Sequence, residues 1–463
     1  MSSRKQPVGY LPDERPPIVE LIFFALQQIV VMFPATVLVA LITGFHVSTT
    51  IFASGLSTLC FILITGRKIP LYYGSSFSYI AAIASIMGAE QFSGLTLNEK
   101  ISIAQFGIVM SGFISIIAGL LIKRAGKKTI DKILPPTVTG SIAIIIGLSL
   151  AKNAIENAAA IPVNIADGQM QLAHNMAWII SMITLFSTII YSVYLKGRLS
   201  QLPILFGLFT GYLAAAIIGH ITGIPFLVFD TIKANGLLSI PEFTIPKPSW
   251  ASVAAIMPIA IATIPESTAH IYQLDIYINA LAKEKGSKKE YKIADKLGLN
   301  LIGDGIGDII SGFIGGPAGT NYGENISTMA ISKVFSVPVL ISAAIITMII
   351  ACFTPLINAI YSIPTAVIGG LSVYLYGVIA AQGIAIMMDR KVNMFKSKNL
   401  AVIAIILVIG LGGTYGFTGN GMIPMFGIEI PALATAAIVG ILLNLLLSIG
   451  DKAEEEEDTR ETN

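Results

Sequence analysis

The chain has 463 residues, of which 54% are hydrophobic and only 12% are charged. Soluble domains carry about 25% charged residues, so this composition excludes an ordinary soluble protein and indicates one built into a lipid bilayer. The formal net charge of +2 is too small to imply a nucleic-acid partner. The two cysteines, each alone in an apolar segment, do not predict a disulfide framework.

Apolar segments of spanning or half-spanning length recur along the whole chain. Roughly 20 apolar residues in a helix cross the hydrocarbon core of a bilayer, and residues 21–66 contain no Asp, Glu, Lys or Arg. About fourteen such segments are predicted. They fall near 18–43, 48–66, 69–88, 101–122, 133–151, 175–195, 202–229, 251–274, 297–314, 317–333, 335–360, 364–387, 400–419 and 430–449.

The distribution of basic residues supports this count. With the amino terminus placed inside, 25 of the 29 Lys and Arg residues fall in segments on the cytoplasmic side, as the positive-inside rule requires. An error of one span would invert every later loop and remove the alternation. The sequence therefore predicts a multi-pass protein of the cell inner or plasma membrane with both termini cytoplasmic.

A short motif occurs twice, about half a chain apart. Pro136-Thr-Val-Thr-Gly140 opens the fifth segment, and Pro364-Thr-Ala-Val-Ile-Gly369 opens the twelfth. Seven spans in each half is an odd number, so two copies must lie in opposite orientations. The pattern predicts two inverted repeats, an architecture found in secondary transporters.

The third and tenth segments, which correspond in the two halves, are both interrupted. One reads Pro70-Leu-Tyr-Tyr-Gly-Ser-Ser-Phe77, and the other reads Gly315-Gly-Pro-Ala-Gly-Thr-Asn-Tyr-Gly-Glu324. Glycine and proline at this density disfavour continuous helix, and non-helical backbone at membrane depth lines a cavity or is buried in protein. Broken segments in matching places indicate a transporter's binding site. A surface loop with a solvated Glu324 is the alternative.

Ionisable residues lie in segments that otherwise belong in lipid. A carboxylate at the centre of a bilayer costs at least about 2.5 kcal/mol, so Glu266 and Glu324 predict a functional site. His270 lies one helical turn from Glu266 on the same face, which suits a proton pathway, although a packed histidine is the alternative. Asp304 and Asp308 favour hydrogen-bonded structural roles over a cation site or proton relay.

Several spaced motifs give the chain a resemblance to the nucleobase–ascorbate transporter family, and within it to bacterial uracil:proton symporters. The similarity runs from Pro16-Pro17 to about residue 450. The motifs are Leu26-Gln27, Met32-Phe-Pro-Ala-Thr-Val-Leu-Val39, Gly74-Ser-Ser-Phe77, Glu266 with His270, Tyr322-Gly-Glu-Asn-Ile326 and Gly369-Gly-Leu-Ser372.

The resemblance implies an all-α polytopic membrane protein with a core domain and a gate domain. The core would comprise residues 18–122 and 251–360, and the gate residues 133–229 and 364–449. Residues 1–17 would form a cytoplasmic amino terminus and 450–463 an acidic cytoplasmic tail. Segments three and ten would hold short strands that meet at the substrate.

The resemblance also implies a function and a site. The expected function is proton-coupled uptake of a nucleobase by alternating access, with uracil the first expectation and no enzymatic activity, metal or cofactor besides the coupling proton. The lipid bilayer is the other expected partner, and a homodimer is left open. The implied substrate residues are Ala35, Phe77, Glu266, Tyr322, Gly323 and Glu324, with Glu266 and His270 in proton coupling and Asp304 and Ser327 as possible support.

The chain departs from the family pattern at Gln28, at Ser327 and at Ser332, which replaces a usual threonine. Gln28 stands where the family usually has histidine, so that histidine's role does not carry over. Ser327 stands at a usual glycine and is expected to narrow the pocket. Ser267 resembles purine transporters, so thymine and xanthine or another purine stay open beside uracil. An anion transporter of the same plan and a membrane enzyme are rival classes, but two glutamates disfavour anions and no metal or nucleophile set is evident.

Overall fold

A computed structural model shows a bundle of helices with two very short pairs of strands. It describes residues 9–125, 132–162, 165, 167–196, 199, 202–227, 236–417, 421–425 and 428–461. Residues 1–8, the predicted gate boundary at 229 and the end of the acidic tail at 462–463 lie outside the described residues.

The helices follow the apolar segments in chain order. They are α1 (Ile18–Thr43), α2 (Val47–Ile64), α3 (Ile80–Met87), α4 (Leu97–Ala125), α5 (Pro136–Ser149), α6 (Ala151–Ala158), α7 (Met170–Tyr194), α8 (Pro203–Thr222), α9 (Trp250–Ile256), α10 (Ile259–Glu284), α11 (Leu297–Ile314), α12 (Gly323–Ser332), α13 (Val337–Ile350), α14 (Thr354–Tyr361), α15 (Thr365–Asp389), α16 (Ser397–Tyr415) and α17 (Ala432–Glu461). The strands are β1 (Tyr73–Ser75), β2 (Gly319–Asn321), β3 (Met422–Met425) and β4 (Ile428–Pro431).

The predicted membrane class is confirmed, and the exact number of crossings stays a prediction. Within the described residues, 11 helices are long and apolar enough to cross a membrane. The third, tenth and eleventh predicted segments hold the shorter helices α3, α12 and α13. Helix α10 runs ten residues past the predicted end at 274, to Glu284, because the apolar pattern records the edge of the lipid and not the end of the helix.

The helices pack as two groups. The first bundle contains α1 to α4 and α9 to α13, with α4 against α11 and α2 against α13. The second bundle contains α5 to α8 and α15 to α17, with α5 and α7 against α15 and α16 against α17. Helix α10 of the first bundle contacts α5 and α17 of the second, so its residues lie where the bundles meet.

Strands β1 and β2 form a two-stranded antiparallel pair inside the first bundle. Tyr73 pairs with Asn321 and Ser75 with Gly319, and all residues of both strands are buried. The pairing joins segments three and ten, as the sequence predicts. It satisfies backbone N–H and C=O groups that have no water to bond at this depth.

Helices α4 and α11 approach each other through facing glycines. A Cβ atom added to Gly305 would lie 2.3 Å from the carbonyl oxygen of Gly112, and one added to Gly298 would lie 2.7 Å from that of Gly119. Small residues allow such close contact between helices in a membrane. This contact holds α11, and with it the start of β2, at a fixed distance from the rest of the bundle.

Replacing Gly305 by alanine should therefore destabilise the first bundle. The new methyl group forces α4 and α11 apart, and overpacking of this kind costs about 1–3 kcal/mol. The measurement is the thermal unfolding midpoint of the purified protein in detergent, which should fall. Gly377→Ala is the matched control, because Gly377 is also helical but has no atom within 4 Å of an added Cβ. Equal midpoints for both variants would contradict the packing argument.

Candidate functional site

The two broken segments deliver two helix starts to the same place. A 3₁₀ turn over Phe77–Tyr79 follows β1 and leads into α3, while α12 begins at Gly323 directly after β2 and Tyr322. The first N–H groups of a helix have no partner within it and carry partial positive charge. The strand pair therefore brings together two helix starts from opposite halves of the chain, and at the first of them the Ser76 hydroxyl accepts from the Ser78 N–H at 3.3 Å.

Three of the predicted ionisable side chains lie near these two helix starts. Glu324 is in the first turn of α12, and Glu266 and His270 lie on α10. All three are partly buried. Glu266 and Glu324 are near enough for their charges to interact, so the structure brings together two carboxyl groups that are 58 positions apart in the chain.

Glu266 is oriented by a residue that the sequence did not single out. The hydroxyl of Ser78, in the turn after β1, donates to Oε2 of Glu266 at 3.3 Å. Ser78 follows directly after the motif Gly74-Ser-Ser-Phe77, so proximity to that motif was the available signal. The contact joins a broken segment of the first half to a helix of the second half.

His270 faces the break between β2 and α12. Its ring hydrogen-bonds to the backbone carbonyl of Asn321, and Nε2 would lie 2.9 Å from a Cβ atom on Gly323. The other ring nitrogen, Nδ1, is buried without a hydrogen-bond partner among the described residues. Glycine at 323 thus gives the imidazole room beside the first N–H of α12.

The phenol of Tyr322 is occupied by protein groups. Its hydroxyl donates to the carbonyl oxygen of Ser75 at 3.0 Å and lies 2.9 Å from Oγ1 of Thr36, which must then be the donor of that second bond. The ring is 3% exposed and packs on Gly74, where an added Cβ would lie 2.5 Å from ring carbons. Tyr322 therefore joins α1 to β1 through its hydroxyl, which leaves only its backbone for the proposed substrate site.

Ala35 and Phe77, two further residues of the predicted site, lie on different elements. Ala35 is buried in α1 next to Pro34, and Phe77 is partly buried. The Phe77 ring packs edge-on against Tyr376 of α15, with 5.9 Å between the ring centroids. Tyr376 belongs to the second bundle, and its buried hydroxyl has no partner among the described residues. Nothing in its sequence context pointed to it.

Asp304 is part of a buried polar cluster behind the site. Its Oδ2 accepts from Ser267 at 2.9 Å, from Asn300 at 3.0 Å and from Asn321 at 3.2 Å. Its Oδ1 is buried and has no partner among the described residues. These contacts fit the hydrogen-bonded role that the sequence favours, and they fix Asn321 of β2 to two residues of α11.

Asp308 holds both strands to α11. Its Oδ1 accepts from the Tyr73 hydroxyl of β1 and from the Gly319 N–H of β2 at 2.8 Å. The residue is 2% exposed. The cation-site alternative gains no support, because no group of three or more His, Cys, Asp or Glu side chains among the described residues is placed to hold a metal ion.

Gln28 and Ser327, which depart from the family pattern, each form hydrogen bonds near the start of α12. Gln28 is buried, and both its carbonyl oxygens accept from Asn325 Nδ2, at 3.0 Å and 2.8 Å. It thereby ties α1 to the first turns of α12. Ser327 is exposed, and its hydroxyl donates to the Gly323 carbonyl at 3.0 Å, so its side chain bonds within α12.

A fold of membrane-spanning helices with two half-helices that begin at a central strand pair defines a multi-pass membrane transporter. Residues 19–419 match the family model for xanthine and uracil permeases, described as Permease family. The chain belongs to the nucleobase–ascorbate transporter family, as its motifs indicated.

Curated relatives match over almost the whole chain. A uracil permease of Bacillus caldolyticus is 36% identical over 451 residues, covering 96% of this chain and 95% of the relative. A uracil permease of Escherichia coli K12 is 33% identical over 445 residues, covering 96% and 95%. These relatives make the chain a permease and not an enzyme.

Solved structures share the fold at low sequence identity. The inward-facing murine solute carrier 26 member A9 anion transporter has a TM-score of 0.64 at 12% identity, covering 97% of this chain and 74% of that one. The transmembrane domain of the cyanobacterial bicarbonate transporter BicA has a TM-score of 0.57 at 14% identity, covering 92% and 96%. They show the inverted-repeat transporter fold and carry no information on this chain's substrate.

The Asp308 contact predicts different effects for two adjacent tyrosines. Tyr73→Phe removes a donor from a buried carboxyl group and should lower the unfolding free energy by about 1–3 kcal/mol. Tyr72→Phe removes only a 2.8 Å bond to the Thr347 hydroxyl and should cost about 0.5–1.5 kcal/mol. Thermal unfolding midpoints in detergent provide the comparison, and a larger loss for Tyr72→Phe would refute the assignment of Asp308.

Proposed function

We propose that the protein imports uracil or a closely related nucleobase together with protons. The observation that carries this proposal is the meeting of Glu266, Glu324 and the two helix starts at Phe77 and Gly323 on one side of the β1–β2 pair. The naming of the curated relatives as uracil permeases supports the choice of substrate.

The chemistry of the site suits a neutral pyrimidine dione. Such a ring presents N–H donors and carbonyl acceptors along its edge. The carboxyl oxygens of Glu266 and Glu324 can accept from the N–H groups, while the backbone amides of Phe77 and Gly323 can donate to the oxygens. Phe77 offers an aromatic face for the ring, and Ala35 leaves room beside α1.

Proton coupling is assigned to Glu266 and His270. Glu266 is within reach of the substrate and of the carboxyl group of Glu324, so a change in its protonation alters both contacts. His270 has one ring nitrogen bonded to the Asn321 carbonyl and a second that is buried and unpaired. The unpaired nitrogen can take up a proton beside the strand that carries the substrate site.

The two bundles supply the parts for alternating access. We assign the first bundle as the core domain (18–122 and 251–360), which holds every proposed substrate residue, and the second as the gate domain (133–229 and 364–449). The Phe77–Tyr376 contact lies across their boundary. Relative movement of the bundles would expose the site to one face of the membrane and then the other.

Contacts of the amino-terminal segment support the proposed topology. Asp13 pairs with Lys289 at 2.8 Å, and Glu14 pairs with Lys285 at 2.6 Å. Partial burial opposes ionisation of Asp13, but hydrogen bonds from Lys289 and Tyr291 hold the pKa of its carboxyl group below the ordinary value. The segment before α1 and the basic loop after α10 therefore share one end of the bundle, which we assign to the cytoplasm.

Two alternatives differ in substrate. A xanthine or other purine symporter would use the same donors and acceptors, and Ser267, which resembles purine transporters, bonds to Asp304 behind the site and not to the opening. An anion transporter of the same fold is disfavoured, because two carboxyl groups at the site repel an anion.

Uptake of labelled uracil into proteoliposomes with an imposed inward proton gradient tests the proposal directly. Accumulation should require the proton gradient and not sodium.

Glu324→Gln should abolish binding in calorimetry, because an amide offers one acceptor and one misplaced donor in place of two acceptor oxygens. Glu156→Gln is the control, since Glu156 lies exposed on α6. Unchanged uracil affinity in Glu324→Gln would remove Glu324 from the site.

The roles of Glu266 and His270 are separable by two kinds of assay. Glu266→Gln should weaken binding and abolish accumulation. His270→Ala should keep binding within roughly tenfold, about 1.4 kcal/mol, and retain counterflow exchange while losing uphill uptake. A proton crossing 100 mV contributes about 2.3 kcal/mol, roughly fifty-fold in concentration, so the loss is large. His174→Ala, at an exposed position of α7, is the control, and normal accumulation by His270→Ala would exclude a coupling role.

A further inference from the structure

The amino-terminal segment, residues 9–14, is bonded to the first bundle through its backbone. Tyr10 forms a parallel bridge with Val334, in the connection between α12 and α13. Hydrogen bonds between the segment and this connection run from the Tyr10 N–H to the Lys333 carbonyl at 2.8 Å, from the Phe335 N–H to the Tyr10 carbonyl at 2.8 Å, from the Val337 N–H to the Pro12 carbonyl at 3.0 Å and from the Ser336 hydroxyl to the Glu14 carbonyl at 2.6 Å. The segment is therefore held by the stretch of chain that directly follows α12.

Gly9 makes the closest approach in this contact. An added Cβ atom would lie 2.3 Å from the carbonyl oxygen of Lys333 and 2.7 Å from its Cβ. The φ angle of Gly9 is 138°, in a region that residues with a side chain rarely adopt. Next to it, Leu11 is 4% exposed, and the Tyr10 ring packs edge-on against Phe24 of α1, with 6.3 Å between the centroids. The segment is therefore a packed part of the first bundle.

The same segment bonds to the end of α10. Nζ of Lys285, the residue after α10, donates to the Gly9 carbonyl at 2.8 Å and to Oε2 of Glu14 at 2.6 Å. The Lys285 side chain is 19% exposed, so water screens this contact only in part. Lys333, the residue after α12, bonds to Glu284 of α10 at 2.6 Å and 2.7 Å. The ends of α10 and α12 are therefore joined both directly and through the amino-terminal segment.

These two helices carry the ionisable groups of the proposed substrate site. Glu266 and His270 lie on α10, and Glu324 lies in the first turn of α12. Helix α12 has ten residues, of which four are buried, and it packs against α1 and α10. A helix rises about 1.5 Å per residue, so Ser332 at its end is only about 12 Å from Glu324. A shift at the end of so short a helix also moves its start.

We infer that residues 9–14 are a positioning element of the substrate site, which holds α12 and its Glu324 in place relative to Glu266 on α10. The inference rests on the proposed function, since it takes these two carboxyl groups as substrate ligands. The segment bonds at the opposite end of α12, so it acts on the substrate only through that helix. Because the segment lies outside the helices, its release leaves their own hydrogen bonds intact.

Gly9→Ala tests the inference, because the new methyl group has no room beside Lys333 and displaces the segment. Hydrogen–deuterium exchange of the full chain in lipid nanodiscs is the first measurement. Amides of α12 should exchange roughly two- to tenfold faster, as expected from the loss of one such hydrogen bond, while exchange of α4 and α11 stays unchanged. Uracil affinity in calorimetry is the second measurement and should fall by a similar factor.

Gly223→Ala is the matched control for this substitution. Gly223 also has a positive φ angle, 70°, but no atom lies within 4 Å of an added Cβ. The control should change neither the exchange of α12 nor the affinity for uracil.

Lys285→Gln provides a second route to the same result. It removes the ammonium group that bonds to Gly9 and Glu14, and it should also speed exchange of α12 and weaken uracil binding. Lys283→Gln is its control, because Lys283 is an exposed lysine in the last turn of α10. Exchange of α4 and α11 reports whether each variant is folded.

Unchanged exchange of α12 in a folded Gly9→Ala or Lys285→Gln protein overturns the inference. Faster exchange of α12 in either control variant also overturns it, as does faster exchange in Gly9→Ala with unchanged uracil affinity. Failure of the unsubstituted protein to bind uracil would instead refute the substrate in the proposed function, and exchange of α12 decides separately whether the segment holds that helix.

Discussion

The antiparallel pairing of β1 with β2 is the constraint on which the rest of the site depends. Both broken segments lie inside the first bundle, and their interrupted backbone needs hydrogen-bond partners other than water there. Strands β1 and β2 pair over three residues each, Ser54 and Thr58 of α2 bond to the Tyr73 backbone, and Asp308 fixes both strands to α11. Because the strands are held, the starts of two half-helices lie beside Glu266 and His270, and the proposed substrate site depends on that geometry.

Some polar groups around the strands are bonded to other protein groups, and others are the ones that we assign to substrate and proton binding. The hydroxyl of Tyr322, the carboxyl group of Asp308 and Oδ2 of Asp304 are occupied by protein donors and acceptors. Glu266, Glu324 and His270 are partly buried, and α10, which carries Glu266 and His270, contacts helices of both bundles. Buried polar groups that are hydrogen-bonded make a rigid support for the residues to which we assign substrate and proton binding.

The packing within the first bundle differs from the packing at the boundary between the two bundles. Facing glycines bring α4 and α11 into backbone contact, which suits a unit that carries a site of fixed geometry. The boundary with the second bundle is made by α10 and by ring contacts such as Phe77 with Tyr376. In the proposed mechanism the two bundles move relative to each other at this boundary, while the strand pair stays within the first bundle.

The sequence alone determined the membrane class, the broken segments and the family, and its set of site residues stays a prediction. Each rests on a local signal in the sequence. The signals are the length of the apolar segments, the side of the membrane to which Lys and Arg are assigned, glycine and proline at a helix break, and charged residues inside apolar segments. Helix ends were less well predicted, as at Glu284, because the lipid boundary and the end of hydrogen bonding are different physical events.

The tertiary structure decided which polar atoms of the predicted site residues already have a hydrogen-bond partner in the protein. Tyr322 is expected at the site from its motif, yet Thr36 and Ser75 take up its hydroxyl. Ser78 and Tyr376 contact site residues from distant parts of the chain, and His46 meets Glu242 across 196 positions. Such pairings depend on how helices from opposite halves pack, and no periodicity or local motif in one sequence records them.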